Sequence, residues 1–260
     1  MGNSFTWLCL PALLSFFVAG LWTCHGKVSA QLDAQSVVAA TESNVVWQAF
    51  QGAYLVGDAS DWCMTNNIIE NKTGATTSPL VFSNAAHGAT ARYMVMVVKT
   101  APTLRMRETL VCGKIIFRLD GAPANEPEGN ETAEFERGGW CEVASHKING
   151  VEGAALEAAK RQIVEVDLEQ ALKLEEVALC SDWGRREWRR GFSGDGGGLH
   201  EIIAFETVPS EDALVAVRRY LDVKWGLQLD TPRPTSAQVS AAMAEGAHLG
   251  NLFGTLFIVR

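Results

Sequence analysis

The sequence lacks the features that mark several large classes of enzyme and of nucleic-acid-binding protein. Its 22 Lys and Arg residues are outnumbered by 30 Asp and Glu residues. The formal net charge of -8 argues against nucleic acid as a partner, because an acidic protein repels a phosphate backbone. No G-x-S-x-G, P-loop or dinucleotide fingerprint occurs, so a hydrolase triad and a nucleotide-dependent enzyme have no support. Internal repeats are also absent, which leaves a single domain with short flanks as the expectation.

The N-terminal segment is strongly apolar. Residues 5–24 form a nearly continuous apolar run without a charged side chain, and such a run partitions favourably into the translocon or the bilayer. Small residues at Val28, Ser29 and Ala30 supply a cleavage site, so residues 1–30 are predicted to be a signal peptide. An uncleaved signal anchor is the alternative, because about 20 apolar residues are enough to span a bilayer. In both cases we expect a secreted or surface-displayed protein.

Four cysteines lie beyond the apolar segment: Cys63, Cys112, Cys141 and Cys180. An even number of cysteines in an oxidising compartment predicts two disulfide bonds, and all three connectivities remain open. No C-x₂-C pair occurs among them, which argues against a structural zinc site. Two sequons, at Asn71 and Asn130, lie in polar stretches and predict N-glycosylation at the surface.

Short runs of apolar and β-branched residues dominate the chain and predict a mainly β fold. The strongest runs cover residues 91–98, 114–119 and 199–205. Residues 162–169 alternate with period two and predict a further strand, although the surrounding Ala and Leu content favours helix. The pair Asn149-Gly150 tolerates positive φ at both positions, which predicts a two-residue hairpin turn.

One helix is well marked near the C-terminus. Ser210 is placed to cap it and Gly226 to end it. A stripe of apolar residues follows helical spacing along one face: Leu214, Val217, Leu221 and Trp225. The basic residues of the same segment are expected to stay in solvent: Arg218, Arg219 and Lys224. Residues 229–260 are predicted to form a Pro-containing linker and an apolar C-terminal tail.

Four motifs follow one another in a fixed order: Gly194-Asp195, Glu201-Ile202-Ile203, Pro209-Ser210-Glu211 and Tyr220-Leu221-Asp222-Val223-Lys224-Trp225-Gly226-Leu227. With them, residues 191–227 resemble the end of laminin-G-like domains, which have the concanavalin A-like jelly-roll fold. The resemblance implies a two-sheet sandwich over residues 40–228 with a short C-terminal helix. The insert of residues 196–198 departs from the family pattern. Such domains serve adhesion or recognition more often than catalysis, and fold alone does not settle function.

A possible catalytic strand lies upstream of these motifs. Glu165, Asp167 and Glu169 form an E-x-D-x-E sequence, which resembles the catalytic strand of laminarinase- and lichenase-type glycoside hydrolases. Residues two apart on a strand share a face, so the three carboxyl groups would project together while the aliphatic residues between them pack inward. Two carboxylates about 5–5.5 Å apart support retaining hydrolysis. A solvated β face gives the same alternation, and it is the favoured interpretation.

A second candidate site concentrates indole and guanidinium groups in an otherwise acidic chain: Trp183, Arg185, Arg186, Trp188 and Arg189. Indoles stack on sugar faces, and guanidinium groups bind carboxylate or sulfate, so this segment predicts a ligand-binding site for a glycan or an acidic partner. The structural alternative is a hairpin whose arginines lie over core tryptophans.

No metal or cofactor is expected. Asp195 offers one oxygen to calcium, but a hard cation needs six or more ligands and no second acidic ligand is identified. His87, His146 and His200 show no metal-binding spacing. The apolar end of the chain is too short to span a bilayer, although small residues around Ser236 leave a glycolipid anchor open.

These observations together predict a non-catalytic recognition or adhesion domain that binds an extracellular glycan or protein. Contact with a membrane is expected only through an uncleaved signal anchor or a lipid anchor. Two alternatives stay open. One is a retaining β-glucan-type glycoside hydrolase that uses Glu165, Asp167 and Glu169, and the other is a structural module of a larger surface protein.

Overall fold

A computed structural model describes residues 27–40, 44–65, 68–72, 80–83, 88–99, 108–111, 116–117, 123–124, 143–157, 159–180, 190–191 and 197–250. The strands within these ranges are, in chain order, β1 (Val28–Asp33), β2 (Val37–Ala40), β3 (Asn44–Gln48), β4 (Tyr54–Asp58), β5 (Trp62–Thr65), β6 (Ile68–Asn71), β7 (Leu80–Ser83), β8 (Thr90–Lys99), β9 (Glu108–Thr109), β10 (Ile116–Phe117), β11 (Pro123–Ala124), β12 (Val143–Ile148), β13 (Val151–Glu152), β14 (Arg161–Lys173), β15 (Ala178–Leu179), β16 (Arg190–Gly191) and β17 (Gly198–Phe205). A 3₁₀ turn covers Leu174–Glu176, and two helices follow β17: α1 (Glu211–Trp225) and α2 (Ser236–Ala244).

Two antiparallel sheets dominate the described part of the chain. The large sheet has the order β13-β12-β14-β8-β17-β6-β5, and β1 also pairs with β17. The small sheet has the order β15-β7-β4-β3-β2. The two-residue strands β9, β10, β11 and β16 form a further small group. The predicted mainly β fold is therefore confirmed, and its two sheets and two short helices are consistent with a β-sandwich.

The large sheet is buried on both faces at its central strands β8 and β17. Its central strand β8 directs Met94 and Met96 into a core that includes Trp47 of the small sheet. Val95 and Val97 alternate with them and enter a second core, which contains the apolar stripe of α1. Because successive side chains on a strand point to opposite faces, a strand covered on both sides is a continuous apolar run. The molecule is thus layered as small sheet, large sheet and helices.

Most of the elements predicted from the sequence are confirmed. The runs at 91–98 and 199–205 form β8 and β17, and the ambiguous run at 162–169 lies within the longer β14. The hairpin turn is present between β12 and β13, where Asn149 has φ 53° and Gly150 has φ 80°. Of the run at 114–119, the structure describes a strand over Ile116–Phe117.

The helix α1 begins and ends as its sequence predicts. The Ser210 hydroxyl accepts a hydrogen bond from the Ala213 amide at 3.2 Å, and Gly226 closes the helix in the left-handed region with φ 60°. Both caps satisfy backbone groups that a helix end otherwise leaves unpaired. Among the described residues, no helix is long and apolar enough to cross a membrane.

The segment predicted as a linker and tail is described up to residue 250 and contains the packed helix α2 (Ser236–Ala244). Thr235 and Gln238 form a reciprocal capping box at the start of α2, which satisfies two orphan donors. Val239 and Ala242 of α2 are buried in the same core as α1. The prediction missed α2 because the helix is short and rich in alanine, so its sequence carries little amphipathic contrast.

The glycine at position 198 has a steric reason. A Cβ atom built at this position would lie 2.3 Å from the Ile69 carbonyl oxygen and 2.4 Å from Ile68 Cγ2. The backbones of β17 and β6 approach each other too closely at this point for any side chain.

The strand β1 constrains where a signal peptide can be removed. Val28 and Ala30 are buried, and β1 pairs with β17 from Val28 to Asp33. The Lys27 carbonyl accepts a hydrogen bond from the Glu206 amide at 2.7 Å, and the Val28 amide donates to the Glu245 carbonyl at 2.7 Å. A cut after Ala30 would remove half of this strand.

If the predicted signal peptide is removed, we expect the remaining chain to begin at Lys27 or at an earlier residue, because the buried strand stabilises the fold only if it stays attached. N-terminal sequencing of the protein purified from eukaryotic cells measures this boundary. A mature chain that begins at Gln31 would contradict the assignment of residues 28–30 to β1.

Candidate functional site

Two clusters of charged and hydroxyl side chains lie where α1 packs on the large sheet. The Glu165 cluster consists of Glu165, Tyr93, Arg218 and Glu211. The Glu201 cluster consists of Glu201, Gln31, Tyr220, Lys224, Trp225 and Asp33. Each cluster places one fully buried carboxylate beside a cation from the helix.

The Glu165 carboxylate is closed off by the helix above it. Arg218 donates from Nε to Glu165 Oε1 at 2.7 Å and from Nη2 to Oε2 at 2.8 Å, which is the bidentate geometry that binds a carboxylate most strongly. The Tyr93 hydroxyl donates to Oε2 at 2.8 Å. Glu165 is 0% exposed and the Arg218 side chain is 12% exposed. Arg218 also pairs with Glu211 at the surface.

The Glu201 carboxylate accepts from four side chains. Gln31 Nε2 and the Tyr220 hydroxyl donate to Oε1, each at 3.0 Å. Trp225 Nε1 donates to Oε2 at 2.7 Å, and Lys224 Nζ lies 2.7 Å from the same oxygen. A buried carboxylate with its lone pairs occupied in this way is held in place rather than presented to a ligand.

Burial keeps both tyrosines of these clusters protonated. Burial first, and then the negative charge of Glu165, raises the pKa of Tyr93 far above its usual range. Burial and the charge of Glu201 raise the pKa of Tyr220 in the same way. A phenol that cannot ionise acts as a hydrogen-bond donor to its carboxylate. Each tyrosine therefore serves to hold an acid in the interface between sheet and helix.

The expectation that the basic residues of α1 stay in solvent is wrong for two of the three. Arg218 and Lys224 are 12% and 21% exposed, because their heads reach the buried acids of the sheet. Lys224 Nζ also lies 3.1 Å from Asp33. The Arg219 side chain is the most exposed of the three, at 34%, and it pairs with Asp222 of its own helix.

The three acids of the E-x-D-x-E sequence have different surroundings. Glu165 is enclosed as described, Asp167 forms an ion pair with Arg92, and Glu169 is exposed. The pairing of β14 with β8 is irregular between Asp167 and Leu172, so the strand does not continue its regular alternation through Glu169. The aliphatic residues between the acids pack into the core between the sheets, as the alternation predicts.

An open polar cleft lies beside the end of α1 and the start of β14. It has a volume of about 520 Å³. Its lining combines a hairpin residue, the β14 entry and the chain after the helix: Asn149, Glu157, Lys160, Arg161, Gln162, Gly226, Leu227, Gln228 and Leu229. Lys160 and Glu157 pair with each other at its rim, and Arg161 Nη1 donates to the Trp225 carbonyl at 3.2 Å. No local sequence pattern marks this cleft, because its lining residues come from separate segments that meet only in the folded chain.

Several predicted site residues lie outside the described residues: Trp183, Arg185, Arg186, Trp188, Arg189, Asp195, Cys112, Cys141 and Asn130. Asn71 is the last residue of β6. Cys63 lies in β5 and Cys180 follows β15, and no disulfide bond joins these two to each other. Within the described ranges, no group of three or more His, Cys, Asp and Glu residues is arranged to hold a metal ion.

No family model, curated protein or solved structure matches the chain. The resemblance to laminin-G-like domains therefore stays a prediction.

Proposed function

We propose that the chain is a non-catalytic recognition domain, displayed outside the cell, that binds a glycan or a protein partner. The open polar cleft carries this proposal. Its volume of about 520 Å³ falls within the range of about 300–1,000 Å³ that small-molecule sites occupy. A glycan presents hydroxyl groups that both donate and accept, and the cleft offers both kinds of partner through its amide, carboxylate and ammonium groups.

The surroundings of Glu165 support a non-catalytic role. A nucleophile or general acid must come within hydrogen-bond reach of its substrate. Glu165 is 0% exposed, and Arg218 and Tyr93 occupy both of its oxygens. The glycoside hydrolase alternative would need α1 to leave the sheet before this carboxylate could meet a sugar.

We further propose a concanavalin A-like jelly-roll topology for the sandwich. The neighbours of β8 in the large sheet are β14 and β17, which lie far from it in the chain. Antiparallel neighbours joined by long connections are typical of Greek-key and jelly-roll sheets rather than of simple meanders. The helix α1 follows β17 directly, as the resemblance implies.

The paired substitution of Glu157 and Lys160 by Ala is expected to weaken glycan binding by about tenfold or more, because it removes two charged partners at the rim of the cleft. Both side chains are more than half exposed, so the fold should keep its stability. The full chain is first screened on a glycan array, and the affinity of the best ligand is then measured by calorimetry for both proteins.

A matched control removes a similar pair elsewhere. Lys173 and Glu176 also form a surface ion pair with the (i, i+3) spacing, and their replacement by Ala should leave affinity unchanged. Equal losses in the two double variants would contradict a site in the cleft. If the unaltered chain hydrolyses laminarin or mixed-linkage glucan and Glu165→Gln abolishes that activity, the protein is a glycoside hydrolase and the recognition proposal is wrong.

A further inference from the structure

A second cleft lies between the edge strands of the two sheets. The strand β2 ends the order of the small sheet, and β5 ends the order of the large sheet. Residues from both strands line one cavity of about 510 Å³. The cleft therefore opens where the two layers of the sandwich part, and it shares no lining residue with the polar cleft.

The lining of this edge cleft is mainly apolar. Val37 from β2 and Val45 from β3 face Trp62 and Met64 from β5. Trp62 and Val45 are buried, whereas Met64 is 42% exposed. An exposed methionine at a cavity adapts its shape to apolar ligands, because its side chain is unbranched and polarizable. The walls thus suit an aliphatic or aromatic body.

Among the described residues that line the edge cleft, Lys72 is the single cation. Lys72 follows β6, its amide donates to the Asp61 carbonyl at 2.7 Å, and its ammonium group donates to the Ala59 carbonyl. An ammonium group has three donors, so this contact leaves donors for a ligand. The nearby Asp58 carboxylate accepts from the amide and the hydroxyl of Ser60, each at 2.8 Å. Those bonds, with a smaller contribution from Lys72, lower the pKa of Asp58.

We propose that the edge cleft binds a small amphiphilic anion, with the apolar body between the sheets and a carboxylate or sulfate head on Lys72. The apolar walls supply affinity through the area they remove from water. The ammonium group selects the sign of the head group, because a positive charge with donors left for a ligand favours an anion and repels a cation. This site is separate from the polar cleft and does not depend on the glycan that the polar cleft binds.

Decanoate is a suitable probe, and decanol and decyltrimethylammonium are its neutral and cationic counterparts. Methyl NMR of the full chain should show saturable shifts confined to Val37, Val45 and Met64 when decanoate is added below its micelle concentration. Lys72→Gln should weaken decanoate binding by about two- to fivefold and leave decanol binding unchanged. Ala40→Trp, at an exposed lining position, should block the binding of decanoate and decanol together.

The control variant is Lys173→Gln, an exposed lysine in another part of the large sheet, and it should bind decanoate as the unaltered chain does. Thermal unfolding of each variant separates loss of binding from loss of fold. Equal binding of decanoate and decyltrimethylammonium would overturn the role of Lys72. Decanoate shifts that persist unchanged in Ala40→Trp would overturn the location of the site.

Discussion

Lys224→Met is expected to lower the free energy of unfolding by about 3–5 kcal/mol, because it leaves the buried Glu201 carboxylate without its cation. Glu201 is 0% exposed and lies 2.7 Å from the ammonium group. Its remaining donors are neutral groups of Gln31, Tyr220 and Trp225, which orient the acid but do not balance its charge. Asp33 also loses the ammonium group, 3.1 Å away. Urea unfolding followed by circular dichroism measures the change from the midpoint at constant slope.

The matched control is Lys173→Met, which makes the same substitution in an exposed pair. The Lys173 side chain is 72% exposed, and surface pairs of this kind contribute about 0–1 kcal/mol. Glu201→Gln with Lys224→Met should recover part of the stability, since the buried charge is then absent while the amide oxygen still accepts hydrogen bonds and only one accepting oxygen is lost. A loss below about 1 kcal/mol for Lys224→Met would show that Glu201 is solvated in solution.

The parts of the fold that the sequence predicts are those set by local physics. Ser210 and Gly226 mark the ends of α1 because cap chemistry involves only neighbouring backbone groups. The Asn149-Gly150 turn is equally local, since positive φ is a property of those two residues. The strand at 162–169 was recognisable by its period of two despite a composition that favours helix. The spacing of apolar residues indicates which face of an element is buried, whereas the overall amino-acid composition carries no such positional information.

The arrangement around α1 depends on contacts that no local pattern reveals. On a helical wheel, Arg218 and Lys224 lie on opposite flanks of the apolar stripe, at roughly 40° and 80° from Leu214. In the large sheet, Glu165 pairs with Val95 and Glu201 pairs with Val97, so the two acids lie on either side of β8. The two flanking cations thus meet the two flanking acids. The helical positions of the two cations follow from the sequence alone. Their acidic partners depend on the register of β14 and β17 against β8, which no local pattern reveals.

The E-x-D-x-E sequence illustrates why one pattern allows several functions. Its alternation correctly predicts that the aliphatic residues face the core between the sheets. Period two says which side chains share a face and nothing about what covers that face. Here the face at Glu165 lies under α1, whereas Glu169 is exposed within the irregular stretch of the strand pairing between Asp167 and Leu172. The function that such a strand can serve therefore depends on which element packs against the face that carries its acids.

Arg218→Met should also lower the free energy of unfolding by about 3–5 kcal/mol, because the Glu165 carboxylate is then buried with Tyr93 as its remaining partner. The role of charge balance can be tested by replacing Tyr93, Glu165 and Arg218 together with apolar residues. Buried ion pairs replaced together by apolar residues of similar volume often leave stability unchanged or higher. The triple variant Tyr93→Phe, Glu165→Met and Arg218→Met should therefore be within about 1–2 kcal/mol of the unaltered chain.

Non-additivity is what distinguishes this explanation from simple loss of packing. If Arg218 acted mainly through its aliphatic stem, the three substitutions would add, and the triple variant would be the least stable of the series. If it acts by balancing the Glu165 charge, the triple variant is more stable than Arg218→Met alone. Urea unfolding of the single variants and the triple variant compares the two cases directly. A triple variant less stable than Arg218→Met would contradict charge balance as the main contribution of Arg218.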